Sequence, residues 1–230
     1  MRTIVIGDIH GCYKELVTLI NYLRKNKKYN PKKDKIIFLG DYIDRGENSR
    51  RVIKYIRGLQ TENSNVIALL GNHEDMLLNY IKSGDLNWLN NGYSTTIKSY
   101  KGNSEDFFSD IEWMKQLPLY HEDKHYIYVH AGINKNLPID KQNKDTLLWT
   151  REEFYNNPNK YYKPVIFGHT PTLFFENRRS PIFFDNNINI DTGCVFGGNL
   201  TALLIEKGKA KNFYSLNTDK NEVVKLDIIK

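Results

Sequence analysis

A chain of 230 residues, 40% hydrophobic and 26% charged, is long enough to bury a sizeable core and too apolar for wholesale disorder. A mean hydropathy of −0.57, with no apolar run approaching 18 residues, excludes a membrane-spanning helix. The formal charge of +6 is spread along the chain. Its densest part, Arg24-Lys25-Asn26-Lys27-Lys28 with Lys32 and Lys33, falls at a helix end and the loop after it. Lysine there complements the helix dipole, so the charge argues for a solvated surface and against a nucleic-acid partner.

In chain order, residues 3–6 read as a buried strand that opens the protein in place of a secretory leader. Leu16, Leu19, Ile20 and Leu23 recur at helical spacing, so a helix follows Gly11. Residues 36–39 form a second strand, and Val52, Ile53, Ile56 and Leu59 mark a second helix. Residues 66–70 form a third strand, followed by a helix marked by Met76, Leu77, Tyr80 and Ile81. This alternation predicts a βαβ start with a parallel sheet. Residues 85–113 are polar and aromatic with weak periodicity, and predict short helices over one end of the sheet. Strands return at 126–129, 165–167, 188–190, 200–205, 211–214 and 223–229, with Glu206-Lys207-Gly208-Lys209 as a hairpin turn. The expectation is one domain over residues 1–230, an α/β (α+β) chain with two sheets packed together and helices outside. Cys12 and Cys194 are too few to staple it, which predicts reduced thiols and a cytoplasmic protein. Cys12 is not a tyrosine-phosphatase nucleophile either: a Cys-x₅-Arg loop would need arginine at Thr18.

The strand ends carry the most information. The first strand runs into Gly7-Asp8-Ile9-His10-Gly11, the second into Gly40-Asp41-Tyr42-Ile43-Asp44-Arg45-Gly46, and the third into Gly71-Asn72-His73-Glu74. Later strands end in His130-Ala131-Gly132 and Gly168-His169-Thr170. The C-terminal edge of strands is where open α/β sheets bind ligands. Of six histidines, His10, His73, His130 and His169 sit in these motifs, while His121 and His125 flank a polar turn and are expected in solvent. Mixed imidazole and carboxylate ligands suit manganese, iron or zinc, and thiol-bound zinc is excluded. Asp8 and His10 can face one ion, and a central Asp41 could bridge two. Two such ions form a clamp for in-line displacement at phosphorus and generate hydroxide at neutral pH.

Together these blocks resemble the calcineurin-like metallophosphoesterases, phosphoprotein phosphatase branch, from residue 3 to about residue 205. Trp88-Leu89-Asn90-Asn91-Gly92, Leu148-Trp149-Thr150-Arg151 and the 191–200 segment (Asp191-Thr192-Gly193 onward) are similar to the small bacterial and phage members. Pro171 stands where many other branches carry a further histidine. The resemblance implies a four-layer fold, a β-sandwich of two mixed sheets flanked by helices.

It also implies roles. Asp8, His10 and Asp41 would hold one divalent metal, and Asp41, Asn72, His130 and His169 the second, with manganese favoured over iron or zinc. His73 would be the general acid, oriented by Asp44, whose carboxylate raises the imidazole pKa. Arg45 and Arg151 would clamp the phosphate, and Glu74 would only support its helix start. The implied activity is a metal-dependent phosphomonoesterase, first of all a serine/threonine protein phosphatase. The alternative is a symmetrical bis(5'-nucleosyl)-tetraphosphatase. The substrate is then a phosphoprotein or a phosphorylated small molecule, with no nucleic-acid or membrane partner and the oligomeric state open. An inactive scaffold is disfavoured because no ligand is missing. A nuclease is disfavoured because two arginines suit a terminal phosphate and no basic groove is evident.

Overall fold

Apolar residues alternate along the first strand, and the two faces they define meet two different layers. The computed structural model describes residues 1–26, 28–157, 160–175 and 177–228. Lys27 of the basic stretch and Ile229 of the last expected strand lie outside them.

The first third forms three strand–helix units. β1 (Arg2–Ile6), β2 (Lys35–Phe38) and β3 (Val66–Ala68) pair in parallel, with α1 (Tyr13–Lys25), α2 (Ser49–Glu62) and α3 (Asn72–Ser83) after them. On α1 and α2 the eight residues at helical spacing are all buried, as the periodicity predicts. On α3 burial falls on the first half, Asn72 to Leu77, and Ile81 stays 48% exposed. This helix points its N-terminus into the protein and runs outward, so its later apolar residues lose their cover.

Residues 85–113 give a 3₁₀ turn (Leu86–Asn90), α4 (Tyr93–Ser99) and most of α5 (Ser104–Met114). Beyond them come β4 (Tyr120–Glu122), β5 (Ile127–Val129), α6 (Lys144–Trp149), α7 (Glu152–Tyr155), β6 (Val165–Phe167), β7 (Ile182–Phe184), β8 (Asn187–Asn189), β9 (Asn199–Glu206), β10 (Lys209–Asn217) and β11 (Glu222–Asp227). One mixed sheet runs β11-β10-β9-β1-β2-β3 and the other β4-β5-β6-β8-β7. The sequence did not signal β4 and β7. Each is a three-residue edge strand, too short to establish a period. The β9–β10 turn has positive φ at both Lys207 and Gly208, the backbone of a type I′ hairpin.

The two sheets stack with helices on both outer faces, the arrangement the resemblance implies. Ile4 and Ile6 of β1 pack with Leu16, Leu19, Ile53 and Ile56 from the helices outside the first sheet. Val5, between them, faces the other way and joins Ile37, Tyr128, Ile166 and Ile188 between the sheets. Ile127, Val129 and Phe167 complete the outer face of the second sheet against Leu147 and Phe154. Trimming a wholly buried residue of the middle layer, such as Ile166→Ala, costs about 2–5 kcal/mol. That stiffness carries the strand-end loops.

Candidate active site

The loops after β1, β2, β3, β5 and β6 meet at one edge of the sandwich. There they bring together His10, Asp41, Asn72, His73, His130 and His169, every one buried. The ligand atoms of Asp41, His130 and His169 lie within 4.8 Å of one another, and so do those of His10, Asp41 and His73. Asp41 belongs to both groups. Its Oδ2 is 3.2 Å from His10 Nε2 and its Oδ1 is 3.5 Å from His130 Nε2. One carboxylate thus presents one oxygen to each side, an arrangement open to a bridging ligand. Asn72 Oδ1 lies 2.8 Å from His130 Nε2 and 3.0 Å from His169 Nδ1, in agreement with its expected place beside them.

Of the first expected metal set, His10 and Asp41 come together. His73, expected as the acid, makes the close triad with His10 and Asp41. Asp8 stands beside it, its Oδ2 accepting the His169 N–H at 3.0 Å and its Oδ1 buried without a partner. A Cβ on Gly168 would overlap Asp8 Oδ1, so only glycine leaves the carboxylate its space.

The donor atoms fit divalent cations. His10 Nδ1 donates to the Ile43 carbonyl (2.8 Å) and His130 Nδ1 to the Leu39 carbonyl (3.0 Å). Both rings therefore aim a bare Nε2 lone pair inward. His130 Nε2 then faces Asn72 Oδ1, lone pair to lone pair, unless the ring carries a second proton. Burial pushes the His130 imidazole below its ordinary value, so that proton is disfavoured. Burial, His130 and Arg151 hold His169 well below, and its Nε2 is a further buried atom without a partner. Burial raises Asp8 well above the carboxylate range, with Asp191 and Asp41 adding to it. Burial raises Asp41 too, but its histidine neighbours outweigh it and hold that carboxyl well below its ordinary value. Bare imidazole lone pairs, the Asp41 carboxylate and an Asp8 whose charged form is costly without a counter-charge form a site for positive charge, and nitrogen and oxygen donors suit manganese, iron or zinc.

His73 and Asp44 meet as expected, Nδ1 to Oδ2 at 2.7 Å. Asp44 is wholly buried and accepts further bonds from Trp88 Nε1 (3.0 Å) and Thr96 Oγ1 (2.6 Å). Burial outweighs the two carboxylates in the balance at His73. Its pKa is lowered, while Asp41 and Asp44 pull it upward. The middle segment thus has a task that its spacing did not reveal: Trp88 points inward and holds the carboxylate that orients His73. Gly92, at φ 93°, lets the same segment close on Arg45, where a Cβ would come within 2.9 Å of the Arg45 backbone nitrogen.

Glu74 does more than support a helix start. It is fully buried and accepts four backbone N–H groups, from Asp41 (2.9 Å), Tyr42 (2.8 Å), Ile43 (3.1 Å) and Gly71 (3.1 Å). It ties the loop after β2 to the loop after β3. Asp191 is a second residue whose part the sequence reading missed. It follows the strand at 188–190 just as the ligands follow theirs, so the strand-end rule, applied once more, finds it. Burial raises its carboxyl to about 6, against the pull of the Gly193 N–H.

The two arginines reach the cluster from different sides. Arg45 Nη1 lies 2.6 Å from His10 Nε2. Arg151 donates to Thr170 Oγ1 at 2.8 Å, next to His169. His10, Asp41, Asp44, Arg45 and His169 all have positive φ, so five of the nine such non-glycine residues among the described residues lie here. Left-handed backbone in residues of this kind costs energy and clusters at functional sites. Away from the site, His121 is half-buried instead of solvated, 3.0 Å from Lys35 Nζ and stacked on Tyr128, while His125 is exposed.

Known proteins bear on this arrangement. Residues 1–210 match the family model of calcineurin-like phosphoesterases. A bis(5'-nucleosyl)-tetraphosphatase PrpE, named as asymmetrical, from Oceanobacillus iheyensis is 33% identical over 227 residues, covering 88% of each chain. A protein of the same name from Anoxybacillus flavithermus is 32% identical over 225 residues, covering 86% of this chain and 88% of the other. Among solved structures, a cold-active protein-tyrosine phosphatase of Shewanella superposes with a TM-score of 0.65 at 19% identity, over 98% of this chain and 80% of the other. A serine/threonine phosphatase from Saccharomyces cerevisiae gives 0.62 at 18%, over 100% of this chain and 81% of the other. At such identities the two phosphatases speak to the fold alone.

Proposed function

The chain belongs to the calcineurin-like phosphoesterase family, and from that premise we propose that it cuts a bis(5'-nucleosyl) tetraphosphate asymmetrically, giving a nucleoside triphosphate and a nucleoside monophosphate. The observation that carries this reading is the near-full-length similarity to relatives named for that cleavage. It departs from the symmetrical alternative drawn from the sequence. It ranks above the protein-phosphatase reading, which leaned on the short chain and the Trp88–Gly92 segment. Trp88 is buried against Asp44, a role that serves His73 whichever substrate is cut.

His10, Asp41, Asn72, His130 and His169, with Asp8 alongside, would hold two divalent cations, manganese first. When bound, these supply Lewis acidity at the attacked phosphate and lower the pKa of water. The chain's own groups do the rest. Arg45 and Arg151 bind phosphoryl oxygens and orient the tetraphosphate. Water adds to the phosphorus nearest one nucleoside, and the bond from that phosphorus to the bridging oxygen breaks. With Nδ1 tied to Asp44, His73 delivers a proton from Nε2 to the leaving oxygen. Burial lowers the His73 pKa, and Asp41 and Asp44 offset part of that cost for the protonated ring this step needs.

Purified protein with manganese and diadenosine tetraphosphate tests this, with products resolved by anion exchange. ATP with AMP is the expected outcome. Two ADP would establish the symmetrical alternative, hydrolysis of phosphopeptide alone would restore the protein-phosphatase reading, and inertness toward all of them would end the proposal.

A further inference from the structure

Outside the catalytic cluster, two large apolar rings stand in solvent beside it. Phe196 is 45% exposed and Phe174 66% exposed, and their centroids are 5.9 Å apart. They come from different loops. Phe196 ends the 3₁₀ turn Cys194–Phe196 that leads into β9, and Phe174 ends the 3₁₀ turn Thr172–Phe174 that follows His169 and Thr170. Hydrophobic burial does not explain the pair, since neither ring is covered.

The pair touches the site through one residue. The Arg45 guanidinium carbon lies 5.2 Å from the Phe196 ring centroid, while Nη1 of the same group points at His10 Nε2. Guanidinium, Phe196 and Phe174 therefore form a continuous row that starts at the catalytic cluster and runs outward. A cation at the inner end attracts a phosphate, and two aromatic faces at the outer end attract a flat π-system. One phosphate on Arg45, with its sugar and base directed along the row, matches the chemistry at both ends.

Resting on the dinucleotide reading above, the geometry points to Phe174 and Phe196 as the stacking face for one nucleobase, that of the nucleoside joined through a single phosphate to the bond that is cut. Phe196 lies directly beside the Arg45 guanidinium, so a phosphate bound to Arg45 would set the base of its own nucleoside against the rings. The rings thus select a nucleoside monophosphate arm and help to fix which phosphate is attacked. They are specificity residues. They touch no reacting atom.

Phe174→Ala is the primary test, because Phe174 is mostly exposed and its ring contacts Phe196, not Arg45. Base–aromatic stacking is worth about 1–3 kcal/mol, so the KM for diadenosine tetraphosphate should rise about fivefold or more, and Phe174→Trp should restore it. The KM for glycerol 2-phosphate, which bears no flat ring, should change far less. Calorimetric titration of the manganese-loaded protein with AMP and with ribose 5-phosphate gives a readout independent of turnover. AMP should bind more tightly than ribose 5-phosphate, and Phe174→Ala and Phe196→Ala should each erase the difference. Equal affinity for the two ligands in the parent protein would overturn the inference. So would a KM for the dinucleotide that Phe174→Ala leaves unchanged, or a loss of the pair's exposure through dimerisation in solution. If the parent protein binds AMP preferentially yet leaves the dinucleotide intact, the stacking face stands and the cleavage reading falls.

Discussion

Arg45 and Arg151 offer the same group to the same cluster, and the protein holds them in different ways. Arg45 is half-buried, sits in left-handed backbone, reaches His10, lies over Phe196 and is backed by Gly92. Arg151 is exposed at the start of the four-residue α7, and its guanidinium donates to Thr170. A donor already fixed in place needs no reorganisation when charge develops on the phosphate, so it acts on the rate. A donor that must first be immobilised gives up side-chain entropy, and its contribution goes into binding. On the proposed mechanism, the contrast predicts that Arg45 acts at the transition state and Arg151 in capture of the substrate.

The largest effect is expected where the two sides share a residue. Asp41→Asn should leave fewer than two manganese ions per chain by elemental analysis and lower kcat by on the order of 10³-fold or more. Two retained ions would show that Asp41 is no bridge. Next, His73→Ala should fold and bind manganese yet lose a factor of about 10²–10⁴ in turnover. The loss should be greater on an alkyl phosphate than on the dinucleotide, since an alkoxide needs its proton more than a leaving nucleotide phosphate does. Near-normal turnover would remove His73 from the mechanism.

The arginines then sharpen the contrast directly. Arg45→Ala should lower kcat about 10²–10³-fold, and Arg151→Ala should act mainly on KM, by about tenfold. Matching profiles for the two variants would dissolve the distinction. The smallest effect belongs to a control remote from both. Burial raises the Asp34 carboxyl, but N–H donors from Arg2 and Asn30 outweigh it and hold the pKa below its ordinary value. A depressed folded pKa stabilises above the unfolded value, about 3.9, and that stability is lost as pH falls through the folded pKa. Asp34→Asn should therefore cost about 1 kcal/mol at pH 7, with the gap closing below about pH 4, and leave kcat alone. A gap that is constant with pH would deny the charged carboxylate its part.

The contiguous parts of this site were legible in the sequence. Each of five strands delivers its polar residues within a few positions of its end, so composition and order alone pick out His10, Asp41, Asn72, His130 and His169. The helices with a full apolar stripe, α1 and α2, were legible for the same reason. What escaped depends on chain segments meeting across the fold. Trp88 and Thr96 converge on Asp44 from 44 and 52 residues away. Glu74 gathers amides from two loops at once, and no sequence spacing encodes that. Phe174 and Phe196 read as unremarkable loop aromatics until the fold lines them up with Arg45. The edge strands β4 and β7 are set by their neighbours, as three residues carry no periodic signal of their own.

The left-handed backbone at His10, Asp41, Asp44, Arg45 and His169 has a practical consequence for mutagenesis. His10, Arg45 and His169 already carry a Cβ and bear the cost of that conformation, so alanine there adds little to it, whereas at Asp41 and Asp44 alanine gives up the short polar side chain that eases left-handed backbone. Asparagine tolerates it as aspartate does. At Asp41 and Asp44, the difference in melting temperature between the asparagine and alanine variants will therefore read this backbone preference together with the hydrogen bonds the side chain accepts, such as those from Trp88 and Thr96 to Asp44.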